Sequence, residues 1–238
     1  MKNKVYASLD EAVADIPNGA TVMVPGFSGV GVPRNLIAAL NRQGAKGLIA
    51  ISNSPGTLDE LVDVGTLVEA GQVKKMICAF TASPHPSVVT PFVRMYNEGT
   101  VDAELVPQGT MAERIRCAAA GIGGFFTPTS VGTELAEGKE HREINGRTYV
   151  LEYPLHADYA LIRAWKADKL GNLQFRLSLR NFNPIMAMAA TTTIVEVEND
   201  VLEPGELDPD HVHVPGIYVD RIIKIPEDGI WSGAKPGM

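Results

Sequence analysis

Between residues 21 and 120 the chain repeats one unit: a short apolar run, a loop rich in glycine or amide residues, then a helix start. Residues 21–24 form the first apolar run, and Pro25-Gly-Phe-Ser-Gly-Val-Gly-Val32 follows it. Pro33 suits the first position of a helix to about Arg42, and Gly44 suits its C-terminal cap. Residues 48–52 make the second run, which breaks at Ser52-Asn-Ser-Pro-Gly56. A third run covers 73–80, with a helix around 87–98, and a fourth covers 101–106 before Pro107-Gln-Gly109 and a helix towards Ala120. Capping boxes are expected at Ser8/Glu11, Thr57/Glu60 and Thr110/Glu113. This alternation predicts an α/β fold with an open, mainly parallel sheet and helices on both faces. Loops at the carboxyl ends of such strands share one edge, where ligands bind. The loops at 25–32, 53–56 and 107–109 therefore point to a single site.

The second half is β-rich. Glu143-Ile-Asn-Gly-Arg147 is a hairpin signal, because Asn-Gly fits a type I′ turn. Strands are expected near 148–153, 159–165, 173–176 and 192–197, with a short helix over 183–190. Residues 1–225 read as one domain, and 226–238 as a Pro/Gly-rich tail that is poorly ordered.

Charge and composition narrow the function. The 238 residues carry a net charge of −7, and the 21 lysines and arginines are scattered, which argues against a nucleic-acid binder. A local arginine or backbone donor still suffices for an anionic small molecule. Cys78 and Cys117 sit in apolar surroundings and read as buried small hydrophobes, without a disulfide or CxxC pattern. The start MKNKVYASLDEAV lacks the apolar core of a signal peptide, and no apolar run reaches the roughly 20 residues of a membrane span. A cytoplasmic protein is expected.

The glycine-rich loop is ordered G-F-S-G-V-G, which is not GxGxxG, and it has no Walker ending. Its glycines either serve a tight turn at positive φ or let backbone N–H groups approach a ligand carbonyl or carboxylate. Asn53 and Gln108 each follow a strand. Each either caps its own loop or presents a neutral amide donor, which suits a carboxylate or a developing oxyanion. Arg114 and Arg116 read as a solvated or salt-bridged helix face. His211-Val-His213 has metal spacing on an acidic loop, which is weak support for a metal, and none is expected.

Many separate stretches resemble the α subunits of family I CoA-transferases. They are Asn18-Gly-Ala-Thr-Val-Met-Val-Pro-Gly-Phe-Ser-Gly-Val-Gly-Val-Pro33, Ser52-Asn53, Pro107-Gln-Gly-Thr-Met-Ala-Glu-Arg-Ile-Arg116 and Phe126-Thr-Pro-Thr-Ser-Val-Gly-Thr133. Tyr149-Val-Leu-Glu-Tyr-Pro-Leu-His-Ala-Asp158, Ala167-Asp-Lys-Leu-Gly-Asn172, Arg180-Asn-Phe-Asn-Pro184 and Pro215-Gly-Ile-Tyr-Val-Asp-Arg221 extend the match in register from about residue 3 to 225. The succinyl-CoA:3-oxoacid and 3-oxoadipate enzymes are the nearest in type. The resemblance implies a CoA-transferase-like fold, an α₂β₂-type assembly and ping-pong exchange of CoA between an acyl-CoA and a small carboxylate. It implies a glutamate nucleophile in a Ser-Glu-Asn-Gly motif on a β subunit. This chain has no such motif, its nearest string being Glu198-Asn199-Asp200. The resemblance further implies that Asn53 and Gln108 hold the substrate carboxylate or oxyanion, that Gly26, Phe27, Ser28, Gly29 and Gly31 line the same pocket, and that no cofactor is needed.

Two departures bear on substrate choice. Pro25-Gly-Phe-Ser28 stands where the family usually has Gly-Gly-Phe-Gly, and Ser52-Asn53-Ser54 where it usually has Ser-Asn-Asn. The stretch Thr81-Ala-Ser-Pro-His-Pro86 is also unusual. Other expectations on the same fold are an acyl-CoA hydrolase, a sugar-phosphate isomerase or a non-catalytic binding homologue.

Overall fold

A computed structural model describes residues 3–56, 61–81 and 89–231. The first half alternates as read from the sequence. Strands β1 (Thr21–Met23), β2 (Leu48–Ile51), β3 (Val73–Cys78) and β4 (Asp102–Leu105) are separated by helices α2 (Arg34–Gln43), α3 (Val64–Glu69) and α4 (Pro91–Asn97). Helix α1 (Leu9–Val13) precedes them and α5 (Gln108–Ala120) follows. After these come β5 (Phe125–Thr127), β6 (His141–Ile144), β7 (Arg147–Glu152), β8 (Ala157–Ala164), β9 (Lys166–Ala167), β10 (Leu173–Gln174), α6 (Asn183–Ala189), β11 (Ala190–Val197) and β12 (Arg221–Lys224).

Seven strands form one sheet in the order β12-β11-β8-β1-β2-β3-β4, and every neighbouring pair is parallel. The first half winds outward from β1 in one direction. The second half starts again on the other side of β1 and winds the opposite way. The strand order thus reverses between β1 and β8, the kind of crevice where open α/β sheets bind ligands. Alternate side chains feed two cores. Val22, Leu48, Ala50 and Met76 pack against α1–α4 on one face, and Met23, Ile51 and Ile77 pack with Met111 of α5 and Met186 of α6 on the other. The sheet β5-β7-β6 is separate and antiparallel, and its Asn145 and Gly146 adopt φ of 51° and 73°, as a type I′ turn requires.

Helix starts follow the sequence in part. Ser8 accepts from Glu11 N at 3.1 Å, as expected. Gly44 is the left-handed cap of α2, with φ of 84°. Helix α5, however, opens at Gln108 rather than at the Thr110/Glu113 box. Its first turn closes on the Pro107 carbonyl, Glu113 pairs with Arg116 at 2.8 Å, and Thr110 Oγ1 has no partner among the described residues. Helix α4 is capped by Thr90 instead of starting at residue 87. Residue 87 and the Thr57/Glu60 box lie outside the described residues. Residues 226–231, read from the sequence as the start of a poorly ordered tail, bond to α2: Asn35 Nδ2 donates to the Ile230 carbonyl at 3.1 Å, and Asn35 Oδ1 accepts from Ile230 N at 2.7 Å. Residues 232–238 lie outside the described part. Among the described residues no helix is long and apolar enough to cross a membrane.

A buried charged pair locks the two halves together. Arg163 on β8 and Glu196 on β11 face each other in register, 3.3 Å apart and fully buried. Glu196 Oε2 accepts the backbone N–H groups of Asn35 and Leu36, each at 2.9 Å. These are two of the orphan donors at the start of α2, where the N-cap Pro33 offers no side-chain acceptor. Burial raises the Glu196 carboxyl to about 7, against the opposing pull of Arg163 and the α2 amides. Arg163 also holds Glu198 at 2.8 Å. Replacing Glu196 with Ala leaves Arg163 short of a partner and α2 uncapped. Urea unfolding should show a loss of about 3–5 kcal/mol. The native state holds the Glu196 proton at a pH where the unfolded chain has lost it. Its contribution to stability is therefore complete below the unfolded carboxyl value and fades as pH rises through about 7. Glu196→Gln should remove that part of the stability–pH curve.

Candidate active site

The loop after β1 is a compact reversal. Phe27 N donates to the Val30 carbonyl and Val30 N to the Phe27 carbonyl, both at 3.0 Å, across Ser28 and Gly29 at φ of 49° and 82°. Two successive positive φ values define a type I′ turn. Glycine is required on either side for lack of space. A Cβ on Gly26 would sit 2.5 Å from Val32 Cγ2, and one on Gly31 would sit 2.8 Å from Nδ2 of both Asn181 and Asn183. Ser28 occupies a left-handed position without the freedom of glycine. Phe27 and Val30 are left exposed at the tip, at 47% and 41%.

The other two loops join it. Asn53 is buried, and its carbonyl accepts from Ala79 N at 3.1 Å, so β3 holds it in place. Gln108 is exposed at the first position of α5, and its Nε2 donates to Asn53 Oδ1 at 2.8 Å. The two sequence-selected amides are 55 residues apart in the chain and touch in the fold. This bond orients the pair, leaving Asn53 Nδ2 and a second N–H of Gln108 as neutral donors. A cavity of about 20 Å³ between the first two loops is lined by Gly26, Ser28, Ser52, Ser54 and Asp63. It is the size of a water molecule rather than of a substrate. Asp63 is committed to capping α3, accepting from Gly65 N at 2.8 Å.

Other sequence candidates have structural duties. Arg114 holds Glu104 at 3.2 Å and the Tyr153 carbonyl at 2.9 Å. Paired with Lys75 and Arg114, Glu104 is held below the ordinary carboxylate range despite the opposing effect of its burial. His211 pairs with Asp208, and His213 accepts from Phe175 N at 2.9 Å. Burial pushes the Cys78 thiol up to about 11, which keeps it protonated and inert. Glu198, in the string nearest to the family's nucleophile motif, is tied to Arg163. Sequence reasoning assigned no role to Arg34, Asn181, Asn183 or Glu196, all of which touch the first loop or the helix that follows it. The only signal was that two of them lie in Arg180-Asn-Phe-Asn-Pro184.

These features define a parallel α/β protein with neutral donors collected at the carboxyl edge of its sheet, beside the strand-order reversal. The Coenzyme A transferase family model matches residues 6–224. The chain is 50% identical to the A-type subunit of the 3-oxoadipate CoA-transferase of Pseudomonas putida over 235 residues, 99% of each chain. It is 48% identical to the A-type subunit of the probable succinyl-CoA:3-ketoacid coenzyme A transferase of Bacillus subtilis, covering 92% of this chain and 89% of that one. Among solved structures it resembles a variant of the decarboxylase AibA/AibB, with a TM-score of 0.79 and 28% identity over 99% of this chain and 88% of that one. The chain belongs to the coenzyme A transferase family.

The crowding at Gly31 can be separated from its backbone strain. Gly99 also has positive φ, at 71°, but open space around it. Gly99→Ala should cost about 1 kcal/mol for the left-handed backbone alone. Gly31→Ala should cost about 1–3 kcal/mol more because of the two asparagines. Chemical denaturation of both variants gives the comparison.

Proposed function

We propose that this chain is the A-type subunit of a two-chain CoA-transferase that moves CoA between succinyl-CoA and a short 3-oxo acid. The observation that carries this reading is the pairing of Asn53 with Gln108 at an edge rich in donors, where the carboxylate beside the cavity is already engaged in a helix cap. Such an edge can hold an anionic acyl group and leaves the nucleophile to another chain. The names of the relatives at 48–50% identity favour transfer to 3-oxo acids, and outweigh the decarboxylase likeness at 28%.

The partner is a β subunit whose Ser-Glu-Asn-Gly motif carries the glutamate, in an α₂β₂-type assembly in the cytoplasm. The glutamate carboxylate attacks the thioester carbonyl, forming an anhydride as CoA leaves as thiolate. The thiolate then attacks the glutamyl carbonyl of the anhydride, which gives glutamyl-CoA and releases the first acid. The second acid's carboxylate repeats the sequence in reverse, ending as its CoA thioester and restoring the glutamate. No cofactor takes part, since CoA and its thioesters are the substrates. On this chain, Asn53 Nδ2 and Gln108 Nε2 are placed to stabilise the acyl oxygen as charge develops on it. Being neutral, they do so without quenching a nearby carboxylate nucleophile.

Mixing the co-purified complex with succinyl-CoA alone should attach CoA to the partner chain and not to this one, as read by intact-protein mass spectrometry. Hydrolysis to free CoA with no adduct would favour the hydrolase reading instead. In the same complex Gln108→Ala should lower kcat by about 10²-fold, the scale of one lost oxyanion donor. Steady-state kinetics unchanged from wild type would remove Gln108 from the site.

A further inference from the structure

Three consecutive carbonyls of the glycine-rich loop are held from behind by side chains. Arg34 Nη2 donates to Gly29 O at 3.1 Å, Asn181 Nδ2 to Val30 O at 3.0 Å, and Asn183 Nδ2 to Gly31 O at 3.0 Å. Asn181 lies between β10 and α6 and Asn183 is the first residue of α6, each about 150 residues further along the chain. Each is fixed in turn. Asn183 Oδ1 accepts from Arg163 N at 2.8 Å, and Asn181 Oδ1 accepts from Phe182 N at 2.6 Å. Arg34 is clamped at its other end by the Val62 carbonyl at 2.6 Å.

In a trans peptide the N–H points opposite to the preceding C=O. Tying down Val30 O and Gly31 O therefore aims the N–H groups of Gly31 and Val32 away from the asparagines. Neither N–H has a partner among the described residues, and Val32 lines the small cavity with Gly26 and Ser28. Backbone donors that the fold leaves unpaired and holds rigidly are suited to an acyl oxygen.

We infer that Arg34, Asn181 and Asn183 are positioning residues for acyl transfer, holding the loop so that the Gly31 and Val32 N–H groups meet the acyl oxygen of the substrate. This rests on the CoA-transfer reading above. It concerns the acyl end of the substrate and leaves the CoA end untouched.

Asn181 is the residue to test, since it is only half-buried and its removal should leave the fold intact. Asn181→Ala would be prepared in the co-purified two-chain complex. The acceptor-acid KM should rise about tenfold, the scale of one hydrogen bond, with the Ki of free CoA and the Tm unchanged. Asn181→Asp keeps the size and the acceptor for Phe182 N but loses the donor to Val30 O, so it should show the same rise. An unchanged acid KM overturns the inference. So does a parallel loss in acid KM, CoA Ki and Tm, because that marks a merely structural role. Full activity in Asn181→Asp would show that the donor is not what matters. If the wild-type complex transfers no CoA, the transfer reading falls and this inference falls with it; an active wild type tests the clamp on its own.

Discussion

The site depends on a charged pair placed where charge is most expensive. Arg163 and Glu196 meet in register on adjacent central strands, with no access to water. Such a pair is weak support for stability by itself, because desolvating two ions offsets much of their attraction. Here it has a further duty. Glu196 reaches out of the sheet to cap the start of α2, while Asn183, fixed to the backbone of Arg163, holds the loop just before that helix. The glycine-rich loop is thus suspended between its own helix and two strands of the other half. Removing the pair would take away the α2 cap, while Asn183 would keep its hold through the Arg163 backbone N–H.

A loop held this way can sustain strain at its tip. Ser28 adopts a backbone conformation that glycine would enter freely, and the turn bonds of Phe27 and Val30 keep it there. Pro25 sits where the chain has just left the sheet: Val24 makes the last strand-like bond, to Ile51. A missing N–H is tolerated at that point, since no ladder partner is lost. The two departures from the family's glycine pattern therefore fall at positions where the structure accommodates them.

The edge itself shows a division of labour. Its donors are neutral amides and backbone N–H groups, and the charged groups nearby are engaged in caps and ion pairs. Phe27 and Val30 are exposed at the same edge. Among the described residues the small cavity between the loops is the size of a water molecule rather than of a substrate. Under the proposed function this chain orients an acyl group while a partner carries out the covalent step.

The sequence by itself determined the local pieces. Apolar runs located β1–β4, β8 and β11, Asn145-Gly146 specified its hairpin, and Gly44 its cap, because each of these signals acts over a few residues. The amides Asn53 and Gln108 were also legible, as polar residues at strand ends. The tertiary structure alone decided how the pieces combine. The placement of β8, β11 and β12 beside β1, the start of α5 at Gln108, and the grip of Asn181 and Asn183 on a loop about 150 residues away all depend on long-range pairing. Arg163 and Glu196 show the reason most clearly. A charge inside a strand carries no local mark of what it will face, and its partner is fixed only when the sheet closes and the register sets the two opposite each other.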